Sequence, residues 1–265
     1  MNKQGDETMK NIMDLFSLKG KTALVTGGYR GIGKAVATAL AQAGADVAIM
    51  ARNCEAGNKA AEEITSLGVA GKFYHGDVTK KEDCAGVVSD IVNTFGKIDI
   101  LVNNAATVRN TEAKDMTWEE WNDVINVNLN GIFLLSQIAG NEMIKNKSGS
   151  IINISSISSM IVNVPQPQCS YNVSKAGVNH LTRSLAYEWA KYNVRVNAIA
   201  PGYVETELLE FGLTTEMGKT WIDMTPMKRV GKPYEIGGLA IYLASDASSY
   251  MTGSVVVIDG AYTVI

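Results

Sequence analysis

Tyr171 and Lys175 are the first residues in this chain whose types and spacing could do chemistry. They lie four positions apart in a stretch that we predict to form the opening turns of a long helix, so they would share one helix face. An ammonium group beside a phenol favours the tyrosinate and would move a tyrosine pKa, ordinarily about 10, toward neutrality. The spacing therefore predicts a tyrosine that acts as an acid or a base.

A second pair with the same spacing, Tyr187 and Lys191, follows on the same predicted helix. Such a short motif is common by chance, so only the surrounding elements can distinguish the two pairs. We expect Tyr187 and Lys191 to lie near the far end of the helix, as a surface or packing pair.

The elements that must position the first pair alternate between strand and helix. Short β-rich apolar runs predict strands at 22–26, 46–50, 70–75, 98–102, 150–155, 194–199 and 255–258. Between them, helical patterns cover 32–43, 55–67, 81–95, 118–145, the segment that carries Tyr171, and 234–245. Repeated βαβ units need right-handed crossovers and produce a parallel sheet with helices on both faces. The prediction is one α/β domain over residues 18–265, built on a doubly wound seven-stranded sheet of Rossmann type.

Two segments fall outside this alternation. Residues 1–17 are predicted to be an N-terminal extension, in which Asp14-Leu15-Phe16 could dock on the body. Residues 202–231 separate the sixth predicted strand from the next helix, and irregular segments of this length in compact domains are usually lids or binding segments. We therefore assign 202–231 to a substrate lid.

Composition excludes several classes of function. A formal net charge of −3 and a pI near 5.5 offer no basic surface for nucleic acid or for an anionic membrane. Cys54, Cys84 and Cys169, together with His75 and His180, show no metal-ligand spacing. The N-terminus lacks the apolar core of a signal peptide, and no apolar run approaches the about 20 residues that cross a bilayer. We expect a cytoplasmic protein with no metal, no nucleic-acid partner and no membrane partner.

The turn after the first predicted strand is rich in glycine and reads Thr26-Gly27-Gly28-Tyr29-Arg30-Gly31-Ile32-Gly33. Glycines let the backbone turn tightly and approach a pyrophosphate, whose charge meets the N-terminus of the following helix. Between the first strand and the first helix of a βαβ series, this turn predicts a dinucleotide site.

The end of the second predicted strand indicates which dinucleotide binds. NAD-binding versions of such a fold carry an acidic residue there to hold the ribose 2′-hydroxyl, whereas this chain has Ala51 followed by Arg52. Arg52 and Arg30 could pair with a 2′-phosphate through forked donors. The sequence therefore predicts NADP(H) in preference to NAD(H). Asp77-Val78 and Asn103-Asn104-Ala105-Ala106 follow the next two strands, at the sheet edge where ligands bind.

In order and spacing, these pieces resemble the short-chain dehydrogenase/reductase superfamily over residues 18–265. The matching pieces are Thr26-Gly27-x-x-x-Gly31-x-Gly33, Asp77, Asn103-Asn104-Ala105, Asn128, Ser156, Tyr171-x-x-x-Lys175, Pro201-Gly202 and Thr206. The resemblance implies an enzyme that interconverts a secondary alcohol and a ketone with a nicotinamide cofactor.

Roles follow from the resemblance residue by residue. Tyr171 would move the proton at the substrate oxygen, and Ser156 would hydrogen-bond that oxygen. Lys175 would lower the pKa of Tyr171 and hold the nicotinamide ribose, while Asn128 would support a water-linked proton relay. Further cofactor contacts are implied at Asp77, Val78, Asn104, Ala105, Pro201, Gly202, Val204 and Thr206, in addition to the glycine turn and the two arginines.

Three features depart from the family pattern. Ala106 and Ala261 stand where glycine is frequent, and we expect a slightly different backbone path there rather than a loss of binding. The spacing from Ser156 to Tyr171 is about two residues longer than in many members, which leaves Ser158 or Ser159 as alternative serines. We prefer Ser156, because it closes an apolar strand.

The longer loop, residues 160–169, is similar to that of sorbitol, arabinitol and xylulose-type polyol or ketose reductases of this superfamily. Amide side chains both donate and accept hydrogen bonds, which suits a polyhydroxylated substrate, so Asn163, Gln166 and Gln168 are candidate substrate ligands. The alternative is that these amides only satisfy the loop backbone.

Other functions remain open to the sequence. A broad-specificity carbonyl reductase or a 3-oxoacyl thioester reductase would use the same machinery. A catalytically silent nucleotide-binding scaffold or sensor would have lost one of the four catalytic positions, and none is lost. Members of the superfamily are commonly tetramers, so the resemblance implies a homotetramer, with a dimer as the alternative.

Overall fold

The computed structural model describes residues 11–207, 209, 212 and 214–264. Its seven strands form one parallel sheet in the order β3-β2-β1-β4-β5-β6-β7. The strands are β1 (Thr22–Thr26), β2 (Asp46–Ala51), β3 (Gly71–His75), β4 (Ile100–Asn103), β5 (Gly149–Ile154), β6 (Val194–Pro201) and β7 (Val255–Ile258). The doubly wound, seven-stranded Rossmann-type sheet predicted from the sequence is confirmed.

Helices cover both faces of the sheet. We number eight α-helices as α1 (Gly31–Gln42), α2 (Cys54–Thr65), α3 (Lys81–Phe95), α4 (Trp118–Ile125), α5 (Gly131–Asn146), α6 (Cys169–Trp189), α7 (Glu216–Met224) and α8 (Pro233–Ala244). Neighbouring residues of a strand point to opposite faces, and this divides the core in two. Val25 packs with α1 and α8, whereas Leu24 packs with α3 and α5. Strands with apolar side chains on both faces are typical of parallel sheets.

One predicted helix contains a change of helix type. The helix predicted over 118–145 is present, and a π-helical turn, Asn126–Asn130, joins its parts α4 and α5. Such turns shift the register of a helix and occur often at functional sites. The turn places Asn128 in the interior, with no exposed surface.

The predicted extension and the predicted lid both contact the body. Ile12–Phe16 forms a short 3-10 helix, and the Phe16 ring lies 6.1 Å from the ring of Tyr242 on α8. Residues 1–10 of the predicted extension, and 208, 210, 211 and 213 of the predicted lid, lie outside the described residues. The rest of the lid carries α7, and a backbone bridge joins Val204 to Gly231 at its base.

Ala261 stands in a backbone conformation that favours glycine. Its φ of +72° lies in the left-handed region, beside Gly260 at +64°. The alanine therefore accepts a conformation that L side chains disfavour, and the expected difference in backbone path from a glycine stays a prediction. Among the helices of the described residues, none has the length and apolarity that crossing a bilayer requires.

Candidate active site

A cavity of about 620 Å³ lies at the carboxyl edge of the sheet, where parallel α/β folds bind ligands. Most of the site residues predicted from the sequence line it. These are Gly27, Arg30, Gly31, Ile32, Gly33, Arg52, Asp77, Val78, Asn104, Ala105, Ser156, Tyr171, Lys175, Pro201, Gly202 and Thr206. Ala106 lies in the same wall.

The glycine turn fits a dinucleotide for steric reasons. Gly31 has a φ of +51°, and a Cβ placed there would stand 3.2 Å from the Thr206 methyl group. A Cβ on Gly33 would run into the Asn104 amide and the Gly27 carbonyl. Asn104 in turn donates to the Thr26 carbonyl at 2.9 Å, which ties the end of β4 to the turn. The turn is therefore a close-packed concave surface above the N-terminus of α1, where a pyrophosphate is bound most favourably.

Two arginines line the cavity, Arg52 after β2 and Arg30 in the glycine turn, and each already faces a carboxylate. Arg52 Nη1 lies 3.6 Å from Asp77 Oδ2, and Arg30 Nη1 lies 3.6 Å from Glu207 Oε2. Burial alone would raise the pKa of Asp77, but hydrogen bonds from Thr79 and the charges of Arg52 and Lys80 outweigh it and hold that pKa below its usual value. Asp77 is therefore ionised at neutral pH, and both arginines remain mostly exposed to a ligand.

Tyr171 and Lys175 share one face of α6, as their spacing predicts. Lys175 Nζ lies 5.5 Å from the centre of the Tyr171 ring and donates to the Ile154 carbonyl at 2.7 Å. Only 2% of Lys175 is exposed, and burial lowers its pKa to about 8. Burial raises the pKa of Tyr171, against an opposing hydrogen bond with Ser156. The expected lowering of the tyrosine pKa is therefore wrong for this geometry, because desolvation of the phenolate exceeds any attraction to the ammonium.

The structure distinguishes the three candidate serines. Ser156 follows β5 and lines the cavity, whereas Ser158 and Ser159 do not, although both are among the described residues. Ser156 Oγ accepts from the Ser158 backbone N–H at 3.1 Å and is within 3.0 Å of Ser158 Oγ. Ser156 and Tyr171 line the same cavity, and interaction with the Ser156 side chain opposes the rise in the pKa of Tyr171.

Asn128 lies behind the cavity wall rather than in it. Its side chain accepts from the Thr107 N–H at 2.8 Å and donates to the Thr107 carbonyl at 2.9 Å. It also donates to Ser174 Oγ at 3.1 Å, and Ser174 bonds the Tyr171 carbonyl. Asn128 therefore joins the loop after β4 to the first turns of α6, and its part in a proton relay stays a prediction.

Four other predicted residues also lie away from the cavity lining. Val204 is buried in the core that covers α1 and α8. Asn163, Gln166 and Gln168 are at most 9% exposed, and their amides bond protein side chains rather than the loop backbone. Their predicted role as direct substrate ligands stays a prediction.

The second Tyr-x-x-x-Lys pair lies at the other end of α6. Tyr187 is 88% exposed, and Lys191 Nζ lies 5.1 Å from the ring of Tyr192 rather than over Tyr187. As expected, this pair belongs to the surface.

Sequence reasoning missed Tyr203, Trp221 and Glu207. The rings of Tyr203 and Trp221 stack with centroids 4.5 Å apart, and Glu207 pairs with Arg30. The only signal in the sequence was their place inside the predicted lid, an irregular segment that contains three aromatic residues, Tyr203, Phe211 and Trp221.

Known proteins resemble this chain over nearly its whole length. The family model described as "Enoyl-(Acyl carrier protein) reductase" matches residues 27–263. Sorbose reductase SOU1 of Candida albicans is 46% identical over 255 residues, covering 96% of this chain and 90% of that protein. NADP-dependent mannitol dehydrogenase of Alternaria alternata is 43% identical and covers 96% of both.

A solved structure agrees with the fold. The crystal structure of a short-chain type dehydrogenase/reductase from Mycobacterium marinum has a TM-score of 0.92 and 43% identity, and covers 96% of this chain and 99% of that one. A glycine-lined dinucleotide cavity, the Ser156–Tyr171–Lys175 cluster and these matches lead to one conclusion. The chain belongs to the short-chain dehydrogenase/reductase superfamily of oxidoreductases.

Proposed function

We propose that this protein interconverts a polyol and its ketose with NADP(H), using Tyr171 as the acid and base. The observation that carries the proposal is the meeting of Ser156, Tyr171 and Lys175 in one cavity with the glycine turn. When bound, the nicotinamide supplies the hydride in reduction and accepts it in oxidation. The chain's own groups hold the substrate and move the proton.

Each residue of the cluster has a distinct part in this reaction. Tyr171 protonates the substrate oxygen during reduction and removes its proton during oxidation. Ser156, which lines the cavity together with Tyr171, binds the same oxygen and keeps it within reach of the phenol. Lys175, anchored to the Ile154 carbonyl, holds the nicotinamide ribose. Asn128 orders the first turn of α6 through Ser174 and completes the proton relay.

NADP(H) is the preferred cofactor. The β2 strand ends at Ala51 without an acidic side chain, and Arg52 and Arg30 both line the cavity with exposed guanidinium groups. A 2′-phosphate would be bound there by charge-assisted hydrogen bonds. The mannitol dehydrogenase relative is named as NADP-dependent.

The substrate class rests on the relatives and on the loop before α6. Relatives named sorbose reductase and mannitol dehydrogenase act on a ketose and on a polyol. We place the substrate between Ser156, the 160–169 loop that holds Asn163, Gln166 and Gln168, and the lid at 202–231. Phe133 on α5 and Val257 on β7 are 45% and 39% exposed, which agrees with assembly into a homotetramer.

The test is a panel of ketoses, polyols, simple ketones and a 3-oxoacyl thioester, assayed in both directions with both cofactors. We expect the highest kcat/KM with a ketose and NADPH, and loss of at least about 10²-fold in Tyr171→Phe with unchanged NADPH affinity. A higher kcat/KM on the thioester or on simple ketones would favour a broader reductase. Tight NADPH binding without turnover of any compound would show a nucleotide-binding scaffold instead.

A further inference from the structure

Asn179 lies one helical turn beyond Lys175 on α6, and its buried amide reaches the chain on both sides of Ser156. Its Oδ1 accepts from Ser155 Oγ at 2.6 Å. Its Nδ2 donates to Ser159 Oγ at 2.7 Å, and Ser159 Oγ donates to the Ser156 carbonyl at 2.5 Å. One side chain of the helix is therefore bonded to the residue before Ser156 and, through Ser159, to the carbonyl of Ser156 itself.

Hydrogen-bond counting determines the direction of each of these bonds. A carbonyl cannot donate, so the proton of Ser159 Oγ must lie on its short bond to the Ser156 carbonyl. Ser159 Oγ then accepts from Asn179, which places the NH₂ group of that amide toward Ser159 and its oxygen toward the Ser155 hydroxyl. Every group of the cluster has a partner, and the Ser156 hydroxyl takes no part in it.

The same helix binds the end of β5 at a third point. The Lys175 ammonium donates to the carbonyl of Ile154, the residue two positions before Ser156. With the two bonds of Asn179, three consecutive residues at the end of the strand are attached to α6, directly or through Ser159. Because α6 also carries Tyr171, these bonds determine where the Ser156 backbone stands relative to the phenol.

We propose that Asn179 is a positioning residue, which holds the Ser156 backbone in register with Tyr171 and Lys175. The inference rests on the proposed reaction at Ser156 and Tyr171, but not on which cofactor or which polyol binds. Asn179 does not line the cavity, so it acts through the serines that it binds. Ser156 and Tyr171 must reach the same substrate oxygen, and a misplacement of about 1 Å at a reacting group can cost about 100-fold in rate.

Asn179→Ala is the most direct test, because it leaves no buried donor without a partner within reach. Ser155 Oγ lies 3.4 Å from the Lys175 carbonyl, and Ser159 Oγ keeps its bond to the Ser156 carbonyl. We expect kcat, expressed per NADPH-binding site, to fall about tenfold. The affinity for NADPH should stay unchanged, because the glycine turn and the two arginines of the cavity are not altered. Unchanged kcat in this variant would overturn the inference.

Thr182→Ala is the matched control on the same helix. Thr182 is fully buried, and its Oγ1 donates to the Val178 carbonyl at 2.8 Å and accepts from Asn153 at 2.9 Å. Like Asn179→Ala, it removes a buried hydrogen-bonding group and should lower the unfolding free energy. It should keep its kcat, because in the described part of the chain Thr182 Oγ1 makes no hydrogen bond to residues 154–159. Equal losses of kcat in both variants would show a general effect of weakening α6 and would overturn the positioning role.

Ser159→Ala tests the route from Asn179 to Ser156, because it removes the hydroxyl that joins them. We expect a loss of kcat here as well. In the double variant with Asn179→Ala the combined loss should be smaller than the product of the two single losses, since both act on the same carbonyl. Losses that multiply would overturn the route through Ser159. Failure of Asn179→Ala to lower kcat in an active enzyme would refute the inference alone, whereas a wild type inactive on every compound of the panel would refute the proposed function as well.

Discussion

The Lys175 ammonium donates a 2.7 Å hydrogen bond to the carbonyl of Ile154, the last residue of β5. This bond fixes the lysine side chain against the strand that precedes Ser156, and it leaves the ammonium nearly without exposure to solvent. The ammonium loses most of its hydration for one hydrogen bond and one aromatic neighbour. Burial of the Lys175 ammonium therefore costs stability.

Lys175→Met should stabilise the fold at neutral pH while it abolishes turnover. Burial lowers the pKa of Lys175 from 10.5 to about 8, which corresponds to about 3 kcal/mol against the charged form. The variant also loses the hydrogen bond to the Ile154 carbonyl, which offsets about 1 kcal/mol of the stabilisation gained by removing the buried charge. We expect denaturant titration to show an unfolding free energy about 2 kcal/mol higher for the variant below pH 8.

The pH dependence of that difference checks its cause. Between pH 8 and 10.5 the folded wild type has released the proton that its unfolded chain still binds, so wild-type stability rises with pH. The advantage of the methionine variant should therefore shrink as the pH rises from 8 toward 10.5. An advantage that is constant with pH would show that packing rather than charge is responsible.

The rate of alcohol oxidation should rise with pH, whereas the rate of ketone reduction should stay flat at and below neutrality. Burial raises the pKa of Tyr171, so the phenol is protonated at pH 7 and the tyrosinate needed for oxidation forms only at higher pH. The Ser156 side chain opposes the increase in the pKa of Tyr171. In Ser156→Ala the oxidation rate should therefore begin to rise only at a higher pH than in the wild type. A pH dependence that does not move would exclude Ser156 from the ionisation of Tyr171.

Arg52→Asp should reverse the cofactor preference. The substitution removes a donor for the 2′-phosphate and introduces a carboxylate that can hold a ribose 2′-hydroxyl. We expect the ratio of kcat/KM with NADPH to that with NADH to fall at least about 100-fold. Arg183→Asp, an equal change of charge at an exposed position of α6, is the control and should leave the ratio unchanged.

Ala261→Gly should stabilise the fold by about 1 kcal/mol. Relief of a left-handed alanine is worth about 1–2 kcal/mol, and the greater freedom of glycine in the unfolded chain removes part of it. The same substitution at Ala43, where φ is −79°, should destabilise, because no strain is relieved there. Equal losses of stability in the two variants would show that Ala261 is not strained.

Much of this molecule follows from local patterns in the chain. Leu24 and Val25 alternate toward two cores because side chains of a strand alternate, and Gly33 approaches Asn104 where no Cβ fits. The pairing of Tyr171 with Lys175 likewise follows from helical spacing. Order, composition and periodicity were sufficient for the sheet, the glycine turn and the pairing of Tyr171 with Lys175.

Other features depend on residues that are distant in the chain. The sequence indicates Gln166 as a substrate ligand. In the structure its amide oxygen accepts a hydrogen bond from Trp221 Nε1, 55 positions away, which local patterns do not predict. The π-helical turn at Asn126–Asn130 is also not predicted by local patterns, because the helical periodicity of the sequence continues through it. The direction in which the pKa of Tyr171 shifts depends mainly on how completely the surrounding residues exclude water from the phenol. The spacing of residues in the sequence does not indicate that degree of burial. Sequence therefore determined which groups can react, and tertiary packing decided how they are solvated, which partners they bind and what holds Ser156 in place.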